Sequence, residues 1–462
     1  MAKFSKKKPP ALRVFKPQQK KIKDGNFEFT IDNLSEDGRG IARPLGKATF
    51  VRGALPGEHV TGRYLAHHRQ FDDAELVEVI HSADERVQPA CEHYQDCGGC
   101  TLQHLGYSAQ LSFKQQRLMT LFRPLSDSQA EPIVWCDNII AEPLNYRHRL
   151  RLAVKANKHS VKIGFRRFNS HDIVDINHCS VAQPALNRLL NSLKRCVTEL
   201  KSRSSVEEIR LMEDGEGKLS LQLLVKSVLL DEDYQQLSEL KASDNLHYIA
   251  VSPIKSQGSS PYWQDGEPLS SYQIDQPQCT VGFEIEDFTQ VNPAINQLMV
   301  STALHWLALN KDDVVADLFC GVGNFSVPLA MSGVPVVAYE LVDAMVAKGR
   351  ENATRNQLNN LSFKRKDLFL EQKKSSFFYK KQPVTKALLD PPRAGAKALV
   401  EQLADSSVST LLYVSCNPQT LVRDATILQQ GGFKLSKATM IDMFPQTTHI
   451  ETMMLFEKKT AQ

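Results

Sequence analysis

VVADLFCGVGNFSVPLAM, residues 314–331, reads as a buried strand, a loop carrying Gly321 and Gly323, and the start of a helix. A second apolar strand, VPVVAYE (334–340), follows and ends on Glu340. Strand, glycine loop, helix and strand in this order open a doubly wound parallel sheet, whose ligands sit outside the carboxyl ends of the strands. The glycines let a ligand approach the backbone, and a carboxylate closing the second strand can accept both hydroxyls of a ribose. Ser326 replaces the third glycine of a dinucleotide fingerprint, and no phosphate-gripping lysine follows. A nucleoside without phosphate therefore suits the loop better than a dinucleotide or triphosphate, and S-adenosylmethionine is such a ligand.

Further along, LSFKRKD (361–367) puts Asp367 at a strand tip where it could meet an adenine edge, and KALLDPPR (386–393) does the same with Asp390. Four successive tips thus carry acids: Asp317, Glu340, Asp367 and Asp390. One such acid is ordinarily a cap or turn former, but four in succession point to a site.

The next strand, LLYVSCNPQT (411–420), brings Cys416 to the same rim, and Pro418 ends the strand cleanly. A free cysteine is usually structural. At a polar mouth, however, it can serve as a nucleophile. Methylating oxygen or nitrogen would need no thiol, because those atoms have a lone pair. Carbon 5 of a pyrimidine has none, so a nucleophile must first add at carbon 6, and a base must later take the carbon 5 proton. In IDMFPQTTHIETMMLFEK (441–458), Glu451 lies on a mostly apolar final strand, where an unpaired carboxylate is costly unless used. His449, two residues earlier, is better read as a packing or capping residue.

Ahead of this block, FEFTIDNL, SEDGRGIARP, ATFVRGALPGEHVTGRYL and FDDAELVEVI form short alternating strands between Phe27 and Ile80, broken by glycine turns. Such spacing suggests a small closed barrel. SEDGRGIA followed by FVRGALPGE resembles the TRAM domain, an oligonucleotide-binding-like barrel of RNA-modifying enzymes. Before it, residues 1–23 carry nine Lys or Arg and no acid, in a chain whose net charge is only +4. Such an arm holds nucleic-acid phosphates or stays a solvated tail.

CEHYQDCGGC (91–100) spaces Cys91, Cys97 and Cys100 as Cys-x5-Cys-x2-Cys. Soft thiolates favour zinc or an iron-sulfur centre, and both need a fourth ligand. Cys136, Cys179, Cys196 and Cys279 are the candidates on spacing, with His93 a further one for zinc. NYRHRLRLAVK (145–155) places Arg147, Arg149 and Arg151 on one side of a strand. Arg166 and Arg167 beside Phe165 and Phe168 add a mixture suited to phosphates and stacked bases.

The length of 462 residues suggests about three domains. No stretch is apolar and long enough to span a bilayer, and the first residues lack an apolar signal core, so a cytoplasmic setting with reduced cysteines is expected.

DLFCGVGNFS, LLDPPR, VSCNP and DMFPQTTHIE occur in the order found in the RNA 5-methyluridine methyltransferases. The barrel and the cysteine cluster resemble the branch of that family acting on 23S rRNA, and the resemblance covers nearly the whole chain. It implies Cys416 as nucleophile and Glu451 as proton acceptor. Gln290 in FTQVN, Phe319, Asn324, Glu340, Asp367 and Asp390 would line the S-adenosylmethionine site. A [4Fe-4S] cluster would be held by Cys91, Cys97, Cys100 and, from the match at NHCSV, Cys179. The implied fold is α/β: a doubly wound Rossmann-like methyltransferase domain (286–462), an N-terminal OB-like TRAM barrel (24–82) and a central iron-sulfur α+β domain (83–285), behind a disordered arm (1–23). The implied partner is 23S ribosomal RNA, with its target base flipped from the stack and no obligate protein partner. The competing readings are methylation of another rRNA site or tRNA, and a non-catalytic RNA-binding or redox-sensing module.

Overall fold

The computed structural model describes residues 25–254, 260–370, 377–379 and 381–458. The basic arm expected over 1–23 lies outside the described residues. The chain divides into two compact units, one ending at Arg86 and the other running from Val87.

In the first unit a sheet is ordered Phe27–Thr30, His59–His67, Phe71–His81, Ala48–Arg52, Gly40–Ala42, Asn33–Leu34. Its two outermost segments are consecutive in sequence, and Ile31 N–H bonds to the Glu58 carbonyl while Asp32 N–H bonds to that of Ile41. The sheet therefore curls back onto its own first strand. Gly62 permits the tight curl, because a Cβ there would meet the Phe29 ring and the Glu75 carbonyl at 2.9 Å. Period-two alternation turns Phe29, Val51, Val60 and Ala74 inward to form the small core.

The second unit holds two large sheets. The first is ordered Ile173–Asp175, Val161–Arg166, Arg149–Ala156, Val206–Glu213, Leu219–Val225, Tyr248–Pro253, Trp263–Gly266. Helices Pro184–Glu199 and Asp231–Ser243 cover it, burying Leu186, Leu189, Leu193, Leu237 and Ile249 in one core. The expected basic face on this sheet is only partly present. Arg149 donates to the carbonyls of Ile285 (2.7 Å) and Asp287 (2.6 Å) and to Thr289 Oγ1 (3.0 Å), so it anchors the segment leading to Gln290. Arg151 pairs with Glu208 at 2.8 Å and stays exposed.

The second sheet has eight strands, ordered Leu361–Arg365, Val336–Glu340, Val315–Leu318, Lys386–Leu389, Thr410–Ser415, Glu451–Lys458, Phe433–Ile441, Val134–Trp135. The first five are parallel, and Glu451–Lys458 runs antiparallel to its neighbours. The winding reverses between Val315–Leu318 and Lys386–Leu389. That reversal opens a crevice at the strands' carboxyl ends, the ordinary ligand position in such sheets.

One edge strand and one helix of this assembly come from far upstream. Val134–Trp135 joins the edge, and helix Tyr107–Asp127 packs beside helix Pro418–Gln430, burying Leu118, Phe122 and Leu125. The hairpin Ser270–Asp275/Gln278–Phe283 is likewise tied here, since Asn352 accepts from Gly282 N–H (2.7 Å) and donates to its carbonyl (2.9 Å). Among the described residues no helix is long and apolar enough to cross a membrane.

Candidate active site

Strands Thr410–Ser415 and Glu451–Lys458 end their pairing at Ser415 opposite Thr452. Cys416 and Glu451 are the next positions of that pairing. Asp390 follows the neighbouring parallel strand, where Leu389 faces Tyr413. The turn after Cys416 is pinned to the Asp390 loop: Asn417 Nδ2 donates to the Arg393 carbonyl (2.9 Å), and Thr420 Oγ1 donates to it as well (3.2 Å). Asn417 also caps helix Pro418–Gln430, accepting from Gln419 N–H, with Pro418 at the first helical position.

Glu451 is buried at 6 % exposure, and its Oε2 has no hydrogen-bond partner among the described residues. Burial first, and then Asp390, push its carboxyl up to about 8. Burial and the neighbouring Asp317 push Asp390 up to about 7. Asp317, fully buried, is raised by burial to about 7 although the Ser326 hydroxyl donates to its Oδ2. The Cys416 thiol is also held above its usual range, by burial and then by Glu451 and Asp390, while the exposed Arg393 opposes the shift. His449 lies at the exposed mouth and is lowered by partial burial of its ring and by the cations Arg393, Lys114, Arg117 and Arg147. The site is thus a group of carboxyls with high proton affinity beneath a positive rim.

The glycine loop forms the second half of the crevice. Glu340 Oε2 accepts from Gly321 N–H (3.1 Å), and Oε1 accepts from Leu341 N–H (2.7 Å) and Val342 N–H (3.0 Å), which fixes the carboxylate and leaves lone pairs for a ligand. Phe319 and Gly321 both have positive φ, +69° and +54°. A Cβ on Gly321 would meet nothing within 4 Å, so the loop borders open space. Leu341, Val342 and Phe369 are exposed around Glu340 and Asp367, and the Phe369 ring lies 5.4 Å from that of Phe319. Asp367 Oδ1 accepts from Phe369 N–H (2.9 Å). Apolar walls, a fixed carboxylate and an open glycine fit a nucleoside.

Asn324 and Gln290 stand one step away. The Asn324 amide is engaged by Tyr272 Oη (2.7 Å) and by reciprocal bonds with Asn296 (3.0 and 2.9 Å). Tyr272, Asn296 and Gln290 line a polar cavity of about 520 Å³. Sequence reasoning left Arg393, Asn296, Tyr272 and Phe369 out of the site. Arg393 had a signal, because it follows Asp390 by three residues in LLDPPR; the others had none.

The cysteines converge elsewhere in the same unit. Cys91, Cys97, Cys100 and Cys179 line one cavity of about 230 Å³ together with Arg147 and Arg151, while Cys136, Cys196 and Cys279 do not. None of the nine cysteines, all described, is in a disulfide. Burial, opposed by a Gln103 contact, and then the other three cysteines push Cys100 up to about 12. Among the described residues no three His, Cys, Asp or Glu groups are close enough to hold a single metal ion.

The family described as tRNA (uracil-5-)-methyltransferase matches residues 106–459. The 23S rRNA (uracil(1939)-C(5))-methyltransferase RlmD of Aeromonas hydrophila subsp. hydrophila is 39% identical over 458 residues, 97% of this chain and 100% of that protein. Its counterpart in Marinomonas posidonica is 39% identical over 432 residues, 93% of this chain and 95% of that one. The structure of Pyrococcus abyssi tRNA (uracil-54, C5)-methyltransferase in complex with S-adenosyl-L-homocysteine superposes with a TM-score of 0.73 at 22% identity, covering 93% of this chain and 100% of that chain.

Proposed function

The chain belongs to the (uracil-5-)-methyltransferase family, and from that premise we propose that it methylates carbon 5 of a uracil in 23S rRNA, uracil 1939 in the numbering carried by its relatives' names. The observation that carries the reading is the adjacency of Cys416 and Glu451 at the carboxyl ends of the sheet, beside Asp390.

S-adenosylmethionine supplies an electrophilic methyl group and fits against Glu340, Phe319, Gly321 and Asp367, with Gln290 and Asn324 behind them. Cys416 adds as thiolate to carbon 6 of the uracil, and the ring becomes an enolate that carries the attacking pair at carbon 5. The carbon 5 pair takes the methyl group from the sulfonium, whose methyl–sulfur bond breaks to leave S-adenosylhomocysteine, and Glu451 then takes the carbon 5 proton. The released pair restores the double bond between carbons 5 and 6, and the bond from carbon 6 to sulfur breaks, returning the Cys416 thiolate. A proton affinity raised by burial suits Glu451 to this task, because a stronger base takes a carbon-bound proton more readily. Asp390, expected from the resemblance to line the S-adenosylmethionine site, shares the pocket with Glu451.

The curled sheet of residues 25–86 reads as a TRAM-type barrel that grips flanking RNA, a reading supported by Ile31 and Asp32, whose backbone bonds to Glu58 and Ile41 link the two edges of the sheet. The four-cysteine cavity reads as a [4Fe-4S] site held by Cys91, Cys97, Cys100 and Cys179, where the cluster would staple a loop-rich segment. A ribosomal RNA substrate implies work in the cytoplasm.

The test uses a 23S rRNA fragment carrying 5-fluorouridine, whose carbon 5 fluorine cannot leave as a proton. With S-adenosylmethionine the wild-type chain should form a denaturation-resistant RNA adduct, and Cys416→Ala should form none. An adduct that survives Cys416→Ala, or a wild-type chain that forms none, refutes the reading.

A further inference from the structure

The loop that delivers Glu451 is held by the segment immediately following Cys100. Gln446, five residues before Glu451, has φ +68°, and its carbonyl accepts from the N–H groups of both Thr101 (3.0 Å) and Leu102 (3.0 Å). Its own N–H donates to Gln110 Oε1 (3.1 Å), and its Oε1 accepts from Gln110 Nε2 (3.0 Å). The same Gln110 Nε2 also donates to the carbonyls of Leu102 (3.0 Å) and Leu105 (2.8 Å). Gln110 and Gln446 are 1 % and 7 % exposed. Tyr146, which lines the cysteine cavity, donates to the Pro445 carbonyl (3.2 Å).

A non-glycine residue at positive φ is strained and persists where its surroundings over-determine it. Here four hydrogen bonds do so, and all come from the cysteine-rich segment and the first turn of helix Tyr107–Asp127. Glu451 Oε2 has no partner of its own among the described residues, so the placement of that carboxylate depends on its backbone, held on one side by the pairing of Glu451 with Ile441 and on the other by the chain leaving the Gln446 turn.

We propose that Gln110 and Gln446 are positioning residues for Glu451, coupling the loop behind the cysteine cavity to the seat of the base. The proposal rests on Glu451 being that base. Cys416 has separate anchors, through Asn417 and the Arg393 carbonyl. Loosening the glutamine pair therefore leaves addition and methyl transfer intact and slows the last step, in which Glu451 takes the carbon 5 proton and the carbon–sulfur bond breaks. The methylated RNA then stays bonded to Cys416.

The experiment compares full-length Gln110→Ala and Gln446→Ala with Glu451→Gln and wild type, using a 23S rRNA fragment and S-adenosylmethionine. Gln446→Ala keeps the backbone bonds to Thr101 and Leu102, so it remains foldable where Gln110→Ala fails. Turnover in the glutamine variants should fall roughly tenfold, the scale of one or two lost hydrogen bonds. The fraction of enzyme trapped as methylated adduct should rise several-fold towards that of Glu451→Gln, with the single-turnover rate of adduct formation and the KM for S-adenosylmethionine unchanged. Unchanged turnover, or lower turnover without adduct, overturns the proposal while a trapped Glu451→Gln keeps the base assignment. A Glu451→Gln enzyme that traps no adduct overturns both.

Discussion

Ser415 faces Thr452 at the last register position of their two antiparallel strands, so the next residues along each, Cys416 and Glu451, are neighbours at the end of that pairing. Their closeness lets the Glu451 charge, after burial, hold the thiol high, while the carboxyl itself is held high by burial and by Asp390.

As the proposed base, Glu451 acts in deprotonated form after methyl transfer, so kcat should rise with pH through the region near 8 to which its carboxyl is pushed. Asp390 contributes to that upward push by like-charge repulsion. In Asp390→Asn the repulsion is gone, and the rising limb should move to lower pH even if the maximum rate drops. A limb that stays in place, measured from kcat between about pH 6 and 10, would show that the two carboxyls do not communicate.

The same shift has a stability consequence of definite sign. Glu451 binds its proton more tightly in the folded chain than at its ordinary value of 4.5, so its contribution is fully present below about 4.5 and is lost as pH rises through about 8. Glu451→Gln cannot lose it. The variant should melt at a higher temperature than wild type at about pH 9, with the gap closing towards about pH 5. A gap that grows on acidification would contradict the burial of this carboxyl as an unpartnered group.

The doubly wound sheet was legible because its strands are short apolar runs; Glu340 ends its strand and Asp390 and Cys416 follow theirs, whereas Asp317, read as a strand tip, lies inside Val315–Leu318 and is fully buried. The polar contacts of helix Tyr107–Asp127 were not legible, for an equally physical reason. Its buried positions include Gln110 and Lys114, polar residues that read as surface, and their partners Gln446 and Asp442 lie more than 300 residues away. Arg149 misled in the same manner. Period two puts it beside Arg151, but only the fold reveals that three acceptors at 285–289 hold it. Spacing left the fourth cysteine open among four, and chain proximity could not select Cys179, which the strand Ile173–Asp175 carries to the cavity.

Lys114 and Asp442 form an ion pair of 2.6 Å with both side chains fully buried, and Tyr107 Oη donates to the second carboxylate oxygen (2.9 Å). Removing one charge strands the other without water. Lys114→Met should cost about 3–5 kcal/mol in denaturant unfolding. Adding Asp442→Asn should recover part of that loss, because the stranded charge is gone. Equal or greater destabilisation in the double variant would mean that the pair acts through packing alone.

Gly321 and Gly333 both sit at positive φ, and a Cβ added at either would meet no atom within 4 Å, but only Gly321 is at the carboxyl end of the strands. Gly321→Val should weaken binding of S-adenosylhomocysteine by about tenfold or more in calorimetry, since the side chain fills the cradle and a branched residue resists this conformation. Gly333→Val should lower the melting temperature by a similar strain and leave the binding constant near wild type. Equal effects on binding would place the nucleoside away from the glycine loop.

Among the cysteines proposed or weighed as ligands, Cys179 and Cys136 give the sharpest contrast. Cys179 is buried and lines the cavity with Cys91, Cys97 and Cys100, whereas Cys136 lies at the edge strand with its thiol near the Val134 carbonyl. A cluster missing one thiolate corner is labile, so Cys179→Ser purified without oxygen should retain markedly less iron and sulfide per chain and lose the broad visible absorption of a thiolate-bound cluster. Cys136→Ser should keep both at the wild-type level. Zinc in place of iron in the wild-type chain would replace the cluster with a mononuclear site, and a Cys136→Ser chain that loses its metal while Cys179→Ser keeps it would reverse the ligand assignment.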